Sequence, residues 1–126
     1  MNQEQFPTEK ELEILQLIWH NGPSTVRLIN EELNQNKKVG YTTTLKLMQI
    51  MAEKGLLSRD ESSRNHIYHA EVKMNKTQNA LTEKFLNQVF GGSSKQLIMQ
   101  LLGNSKASAK DINEVKEYIK KLESDK

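Results

Sequence analysis

A mainly α-helical chain with one small β-hairpin is what three features of this sequence predict. Apolar residues recur at helical spacing in six separate stretches, most of them bounded by a hydroxyl or Asn cap or by Gly and Pro breakers. Two short segments, 56–61 and 66–70, read as strands joined by the polar Ser62-Ser63-Arg64-Asn65. The 126 residues contain no Cys, which excludes a disulfide scaffold, a thiolate metal site and a cysteine nucleophile. The predicted order is three helices, the hairpin, then three more helices.

Each element has its own grounds. Thr8 is placed to cap the first helix, with Glu9 and Glu11 in its first turn, and Leu12, Leu15, Ile18 and Trp19 form its inner face. His20-Asn21-Gly22-Pro23 stops it. Ser24 is the expected N-cap of a second helix with Val26, Ile29 and Leu33 inside, and 35–38 is a polar connector. Over 42–54 the inner stripe is Thr44, Leu47, Met48 and Met51, and Gly55 stands where a left-handed C-terminal cap is wanted. After Asn75, the expected N-cap, Leu81, Phe85, Val89 and Phe90 line a helix ending at Gly91-Gly92. Leu97, Ile98, Leu101 and Leu102 line the next. Ser108 and Asp111 stand at capping-box distance ahead of Ile112, Val115, Ile119 and Leu122, which follow heptad a/d spacing. The expected division is residues 1–72 as one domain and 73–126 as a second, three-helix region.

The apolar fraction is 36%, and counting Gly in place of Tyr gives 48 of 126, about 38%, below the roughly 45–50% of typical globular chains. A lean core implies help from a second chain. The charge is unevenly placed: residues 1–32 carry a net −4, residues 33–70 a net +3 and residues 71–126 a net +3. Positive charge is densest in the middle segment, where a polyanion would be met. No run of ten apolar residues occurs, so neither a membrane span nor a secretory signal is expected, and the protein should be cytoplasmic.

Two short helices, a third amphipathic helix and a two-stranded hairpin are the order of a winged helix-turn-helix. There the third helix enters the DNA major groove and the wing touches the flanking backbone. With the stripe Thr44, Leu47, Met48 and Met51 inside, the outward residues are Thr42, Thr43, Leu45, Lys46, Gln49 and Ile50. Threonine hydroxyls bond phosphate or base edges, Lys46 reaches phosphate or guanine, and Gln49 pairs with adenine. Arg64 at the wing tip and Ser24 at the second helix complete the DNA-binding candidates. The plain alternative for the third helix is an ordinary capped surface helix. A second function class is a protein-interaction adaptor that keeps the winged fold without DNA binding, for which Leu45 and Ile50 on the outer face speak.

Other chemistries find no support. His66 and His69 lie an odd number of residues apart on one strand and face opposite sides, so they cannot share a metal. Gly91-Gly92-Ser93-Ser94-Lys95 lacks the spacing of a phosphate loop. No catalytic set, metal site or cofactor is expected, hence no enzyme. The last three helices either fold back as extra core or interlock with a second chain through Leu81, Phe85, Val89, Leu97, Leu101, Ile112, Val115 and Ile119. The a/d series and the lean composition favour a two-fold homodimer, which would present two reading helices to a near-palindromic site.

Several segments resemble the penicillinase-repressor family (the BlaI/MecI group, with the copper-responsive CopY-like repressors). They are 40–48 running on to 53–57, the first helix from Glu11 to Trp19, the wing Arg64-Asn65-His66-Ile67-Tyr68, and Phe85-Leu86-Asn87 with Phe90-Gly91-Gly92. The resemblance runs from about residue 8 to 122. It implies a homodimeric winged-helix repressor of transcription on an operator overlapping a promoter. For antibiotic-responsive members it further implies release by proteolysis within the penultimate helix, triggered by a membrane-bound sensor metalloprotease. Aligned from Gly91-Gly92, the scissile pair falls at Gln100-Leu101, where cleaved relatives commonly carry Asn-Phe; core packing of Leu101 is the other reading of that position. Many members carry Arg where Ile50 stands here. The copper-responsive branch uses a Cys-rich tail that this Cys-free chain does not have.

Overall fold

The computed structural model describes residues 6–62, 64–104 and 107–126. Its elements are α1 (Glu9–Asn21), α2 (Val26–Leu33), α3 (Tyr41–Glu53), β1 (Leu57–Asp60), β2 (Ile67–Ala70), α4 (Met74–Phe90), α5 (Ser94–Asn104) and α6 (Ala109–Ser124). This is the predicted order, a winged helix followed by three helices. Two compact units divide the chain, the first ending at Leu81 and the second starting at Thr82, so the division falls inside α4.

The first unit is built around one core. Ile14, Leu15 and Ile18 of α1 meet Val26 and Ile29 of α2, Met48 and Met51 of α3, and Leu56, Leu57 and Tyr68 from the hairpin. Each such side chain contributes roughly 1.5–3 kcal/mol by leaving water. α1 begins with a full capping box, in which the Thr8 hydroxyl accepts from the Glu11 N–H and the Glu11 carboxylate accepts from the Thr8 N–H at 2.8 Å. Trp19 ties the far end of α1 to the chain beyond β2 by donating its indole N–H to the Val72 carbonyl at 3.0 Å.

β1 and β2 pair antiparallel, with Leu57 opposite Ala70 and Asp60 opposite Ile67. Each strand is shorter than the sequence predicts: pairing stops before Glu61 and His66 where the chain turns into the hairpin loop, and the Leu56 N–H is taken by Met51 O at the end of α3. Ser63, assigned to that loop from the sequence, lies outside the described residues. Two corrections concern caps. The N-cap of α2 is Thr25, whose hydroxyl accepts from the Leu28 N–H at 3.2 Å. Ser24 is instead drawn into the sheet: its N–H donates to Tyr68 O at 3.0 Å and its carbonyl accepts from the Tyr68 N–H at 2.8 Å. Asn75 does not cap α4 either; the helix already starts at Met74, and Asn75 accepts from the Lys76 N–H inside the first turn.

In the second unit Ser108 and Asp111 form the capping box expected for α6. No residue of α5 or α6 is buried. Fifteen large apolar side chains are exposed among the described residues, and eleven of them lie between Phe85 and Leu122. Phe85 and Phe90 meet edge to face with centroids 5.9 Å apart. The core reading of Leu101 is thereby overturned within the chain, since that side chain is 57% exposed.

Candidate nucleic-acid interface

α3 is amphipathic in a way that separates its two faces cleanly. Thr44, Met48 and Met51 are buried, and Leu45 and Leu47 pack partly against the core. Tyr41, Thr42, Thr43, Lys46, Gln49 and Ile50 are exposed. Lys46 makes no ion pair with any described residue, so its ammonium is available to an anion. The first turn of α3 thus offers hydroxyls and free backbone N–H groups, a combination suited to phosphate oxygens and base edges.

The C-terminal end of α3 is fixed by two devices. Gly55 adopts φ +83, and its N–H donates to Ala52 O at 3.2 Å while the Leu56 N–H reaches back to Met51 O at 2.9 Å. This pair of reversed bonds satisfies carbonyls at the helix end and needs the left-handed conformation that glycine adopts without strain. The second device is an ion pair. Lys54 caps α3 and donates its ammonium to both oxygens of Glu11, at 2.8 and 2.9 Å. The Glu11 side chain is only 3% exposed. Burial alone would push its carboxyl up, but the Lys54 ammonium and the Thr8 N–H together hold it below the ordinary value. α3 is thereby clamped to the first turn of α1.

The hairpin carries Arg64 on its exposed loop. At the base of the loop, Arg59 pairs with Glu61, and the Asp60 carboxylate accepts from the Ser62 N–H at 2.9 Å. That bond from Ser62 keeps Asp60 below the ordinary carboxylate range. Between the wing, the start of α2 and the start of α3 lies an open cleft of ≈ 450 Å³, bordered by Thr25, Arg27, Tyr41, Arg64, His66 and Tyr68. Arg27 bends toward Glu31 one turn on, at 3.5 Å, but both side chains remain largely exposed, and such a pair holds weakly.

Of the residues selected from sequence, Thr42, Thr43, Lys46 and Gln49 share the outer face of α3, and Arg64 borders the cleft that opens beside its first turn. Ser24 does not join them. It is 2% exposed and its hydroxyl donates to Gly22 O at 2.8 Å, so it presents nothing to a ligand. Thr25, Arg27, Tyr41 and His66 border the cleft without being among the residues the sequence singles out. Arg27 stands in the acidic segment 1–32, and only the tertiary fold carries it to the cleft. Tyr41 had a local signal, since it directly precedes Thr42 at the helix start. Leu45, one of two apolar residues that favoured an adaptor, packs partly on the core, which leaves Ile50, at 39% exposure, as the apolar outlier of that face.

No group of three or more acidic or histidine side chains that could hold a metal ion occurs among the described residues, and no described helix is long and apolar enough to cross a membrane. Residues 7–121 match the family model described as penicillinase repressor. The chain belongs to the penicillinase-repressor family. A penicillinase repressor of Staphylococcus aureus is 23% identical over 109 residues, covering 86% of this chain and 86% of that protein. A penicillinase repressor of Bacillus licheniformis is 20% identical over 112 residues, covering 89% and 88% respectively. As a member of the penicillinase-repressor family, the chain is a transcriptional regulator rather than an enzyme, and the family supports repression as its role.

Proposed function

We propose that the protein represses transcription by binding, as a homodimer, a near-palindromic operator in double-stranded DNA. On this reading residues 1–72 bind DNA and residues 73–126 dimerise. The observation that carries it is the two-sided α3, whose methionine face is buried while Thr42, Thr43, Lys46 and Gln49 stand clear of the protein. Lys46, one turn beyond the exposed hydroxyls of Thr42 and Thr43, sets a cation on the same face, which favours a polyanion partner. Arg64 then meets the backbone beside the groove that α3 enters.

Dimerisation rests on α4, α5 and α6. Phe85, Val89, Leu101, Ile112, Val115 and Ile119 are all 38% exposed or more, while Leu81 and Leu97 are half-buried. An apolar surface of this extent marks an interaction site, and its a/d spacing on α6 suits a second copy. The protein would work in the cytoplasm, without inserting into a membrane. Release would follow cleavage of the Gln100–Leu101 bond, triggered by a membrane-bound sensor metalloprotease. Both residues are exposed within α5, so the helix must unwind locally before a protease can hold the bond in extended form.

A gel-shift titration tests the reading. The expected result is tight binding to one duplex selected from a random library, weak binding to its scrambled counterpart, and affinity that falls steeply as salt rises. Equal, weak binding to both duplexes refutes it and favours the adaptor.

A further inference from the structure

The start of α3 lacks the device that opens its neighbours. α1, α2 and α6 each begin with a hydroxyl residue whose side chain caps a backbone N–H, whereas the N-cap of α3 is Gly40, with no side-chain cap bond. What holds this turn comes from α2 instead. Asn34, the C-cap of α2, turns its side-chain amide onto Val39 in both directions. Its Oδ1 accepts from the Val39 N–H at 2.9 Å, and its Nδ2 donates to Val39 O at 2.9 Å and to Asn30 O at 2.7 Å. Asn30, one turn earlier, donates its Nδ2 to the same Val39 carbonyl at 3.0 Å and to the Thr44 hydroxyl oxygen at 2.9 Å. Thr44 is 1% exposed, and its N–H donates to Gly40 O at 3.2 Å.

Two carboxamides therefore grip the chain at Val39 and Thr44. The segment between these anchors carries Tyr41, Thr42 and Thr43, the exposed residues of the first turn. Resting on the DNA-binding reading above, we propose that Asn30 and Asn34 are positioning residues for base discrimination: without touching DNA, they fix how the first turn of α3 is presented to the groove. A directional hydrogen bond from a threonine hydroxyl to a base edge survives only small displacements, while contact with the phosphate backbone is sequence-independent and tolerates them. Loosening the turn should erode the preference for one sequence before it erodes affinity for DNA in general.

The test uses the full chain, the duplex that the wild type enriches from a random-sequence library, and a scrambled duplex of equal length. Asn34 is exposed and lies outside the core, so Asn34→Ala leaves the core packing untouched. Thr44→Val keeps the volume of Thr44 while removing the acceptor for Asn30, and Thr44→Ser restores that acceptor. Asn34→Ala and Thr44→Val should each lower the ratio of selected to scrambled affinity by about tenfold, a loss of the size carried by one good base contact. Affinity for the scrambled duplex and its salt dependence should stay as in the wild type, and Thr44→Ser should recover the ratio. In the free protein, amide exchange should quicken at Val39 in Asn34→Ala while the emission of Trp19, on α1, is unchanged. Variants that are folded yet keep the wild-type ratio overturn the inference alone. A wild type that enriches no duplex overturns the DNA-binding reading and this inference with it.

Discussion

Replacing either member of the Glu11–Lys54 pair should destabilise the first unit, and Lys54→Met should respond to acidification in the opposite sense from the wild type. In the wild type, Lys54 bonds both Glu11 oxygens while the side chain of Lys54 remains 32% exposed. Glu11→Gln removes the charge but keeps an acceptor for the Thr8 N–H, and the released ammonium can turn to water. A fully buried pair broken on one side loses about 3–5 kcal/mol; with Lys54 free to resolvate, about 2 kcal/mol is expected. For a unit of this size that lowers the melting temperature by about 8–16 °C. Lys54→Met is the harsher change, because it leaves a carboxylate in the protein interior with no countercharge, and about 3–5 kcal/mol should be lost at neutral pH.

The pH dependence separates Lys54→Met from the wild type. In the wild type Glu11 is held below its ordinary value of 4.5 in the folded state. Its contribution is therefore complete above 4.5 and disappears as pH falls through the lowered folded value. In Lys54→Met burial, the largest influence, is opposed only by the Thr8 bonds, so the folded value rises, and the penalty is relieved as the carboxyl takes up a proton on acidification. The single Trp19 reports unfolding, and melts at fixed protein concentration from pH 7 to 3 are the assay. If Lys54→Met matches the wild type at pH 7, or if both lose stability in parallel on acidification, the reasoning about this clamp is wrong.

Other outcomes follow from the same geometry. Lys46→Ala should cost on the order of 1–3 kcal/mol of operator binding with relaxed preference at one position if the ammonium meets a base, and a uniform loss across sequences if it meets phosphate; titration against single-base operator variants separates these. Gly55→Ala should cost about 1–2 kcal/mol, read by thermal melting, because the residue keeps φ +83 and no neighbour lies within 4 Å to crowd the new methyl. Sedimentation at micromolar concentration should give twice the chain mass, and removing residues 101–126 should weaken dimerisation and operator binding together. A full-length monomer at that concentration would remove the basis for a palindromic site.

Much of the fold was legible because its signals are local. The α3 stripe of Thr44, Leu47, Met48 and Met51 stands at helical spacing, and Thr8 with Glu11, like Ser108 with Asp111, carries a cap within four residues. What stayed hidden depends on partners distant in the chain. Glu11 reads as a solvated first-turn acid, yet it is buried because Lys54, 43 residues later, neutralises it. Ser24 and Thr25 are equally able to cap, and the choice between them is made by Tyr68, which pairs with the Ser24 backbone. Ile14 lies off the predicted inner face of Leu12 and Leu15, yet it is fully buried while Leu12 is only half so. The outer face of α3 follows from its inner one, whereas the cleft residues Thr25, Arg27 and His66 are joined to it only by the fold.

The account stands on the outer face of α3 lying in a DNA groove. Because the chain has no Cys, Ile50→Cys places a single thiol on that face, at a residue given no contact role, and a DNA-cleaving iron chelate can be tethered there. Bound to the selected duplex, it should cut in two clusters related by two-fold symmetry, with centres about one helical turn or a whole multiple of it apart. Cutting spread evenly along the duplex, or none above that of a chelate tethered through Gln16→Cys on α1, would contradict the account.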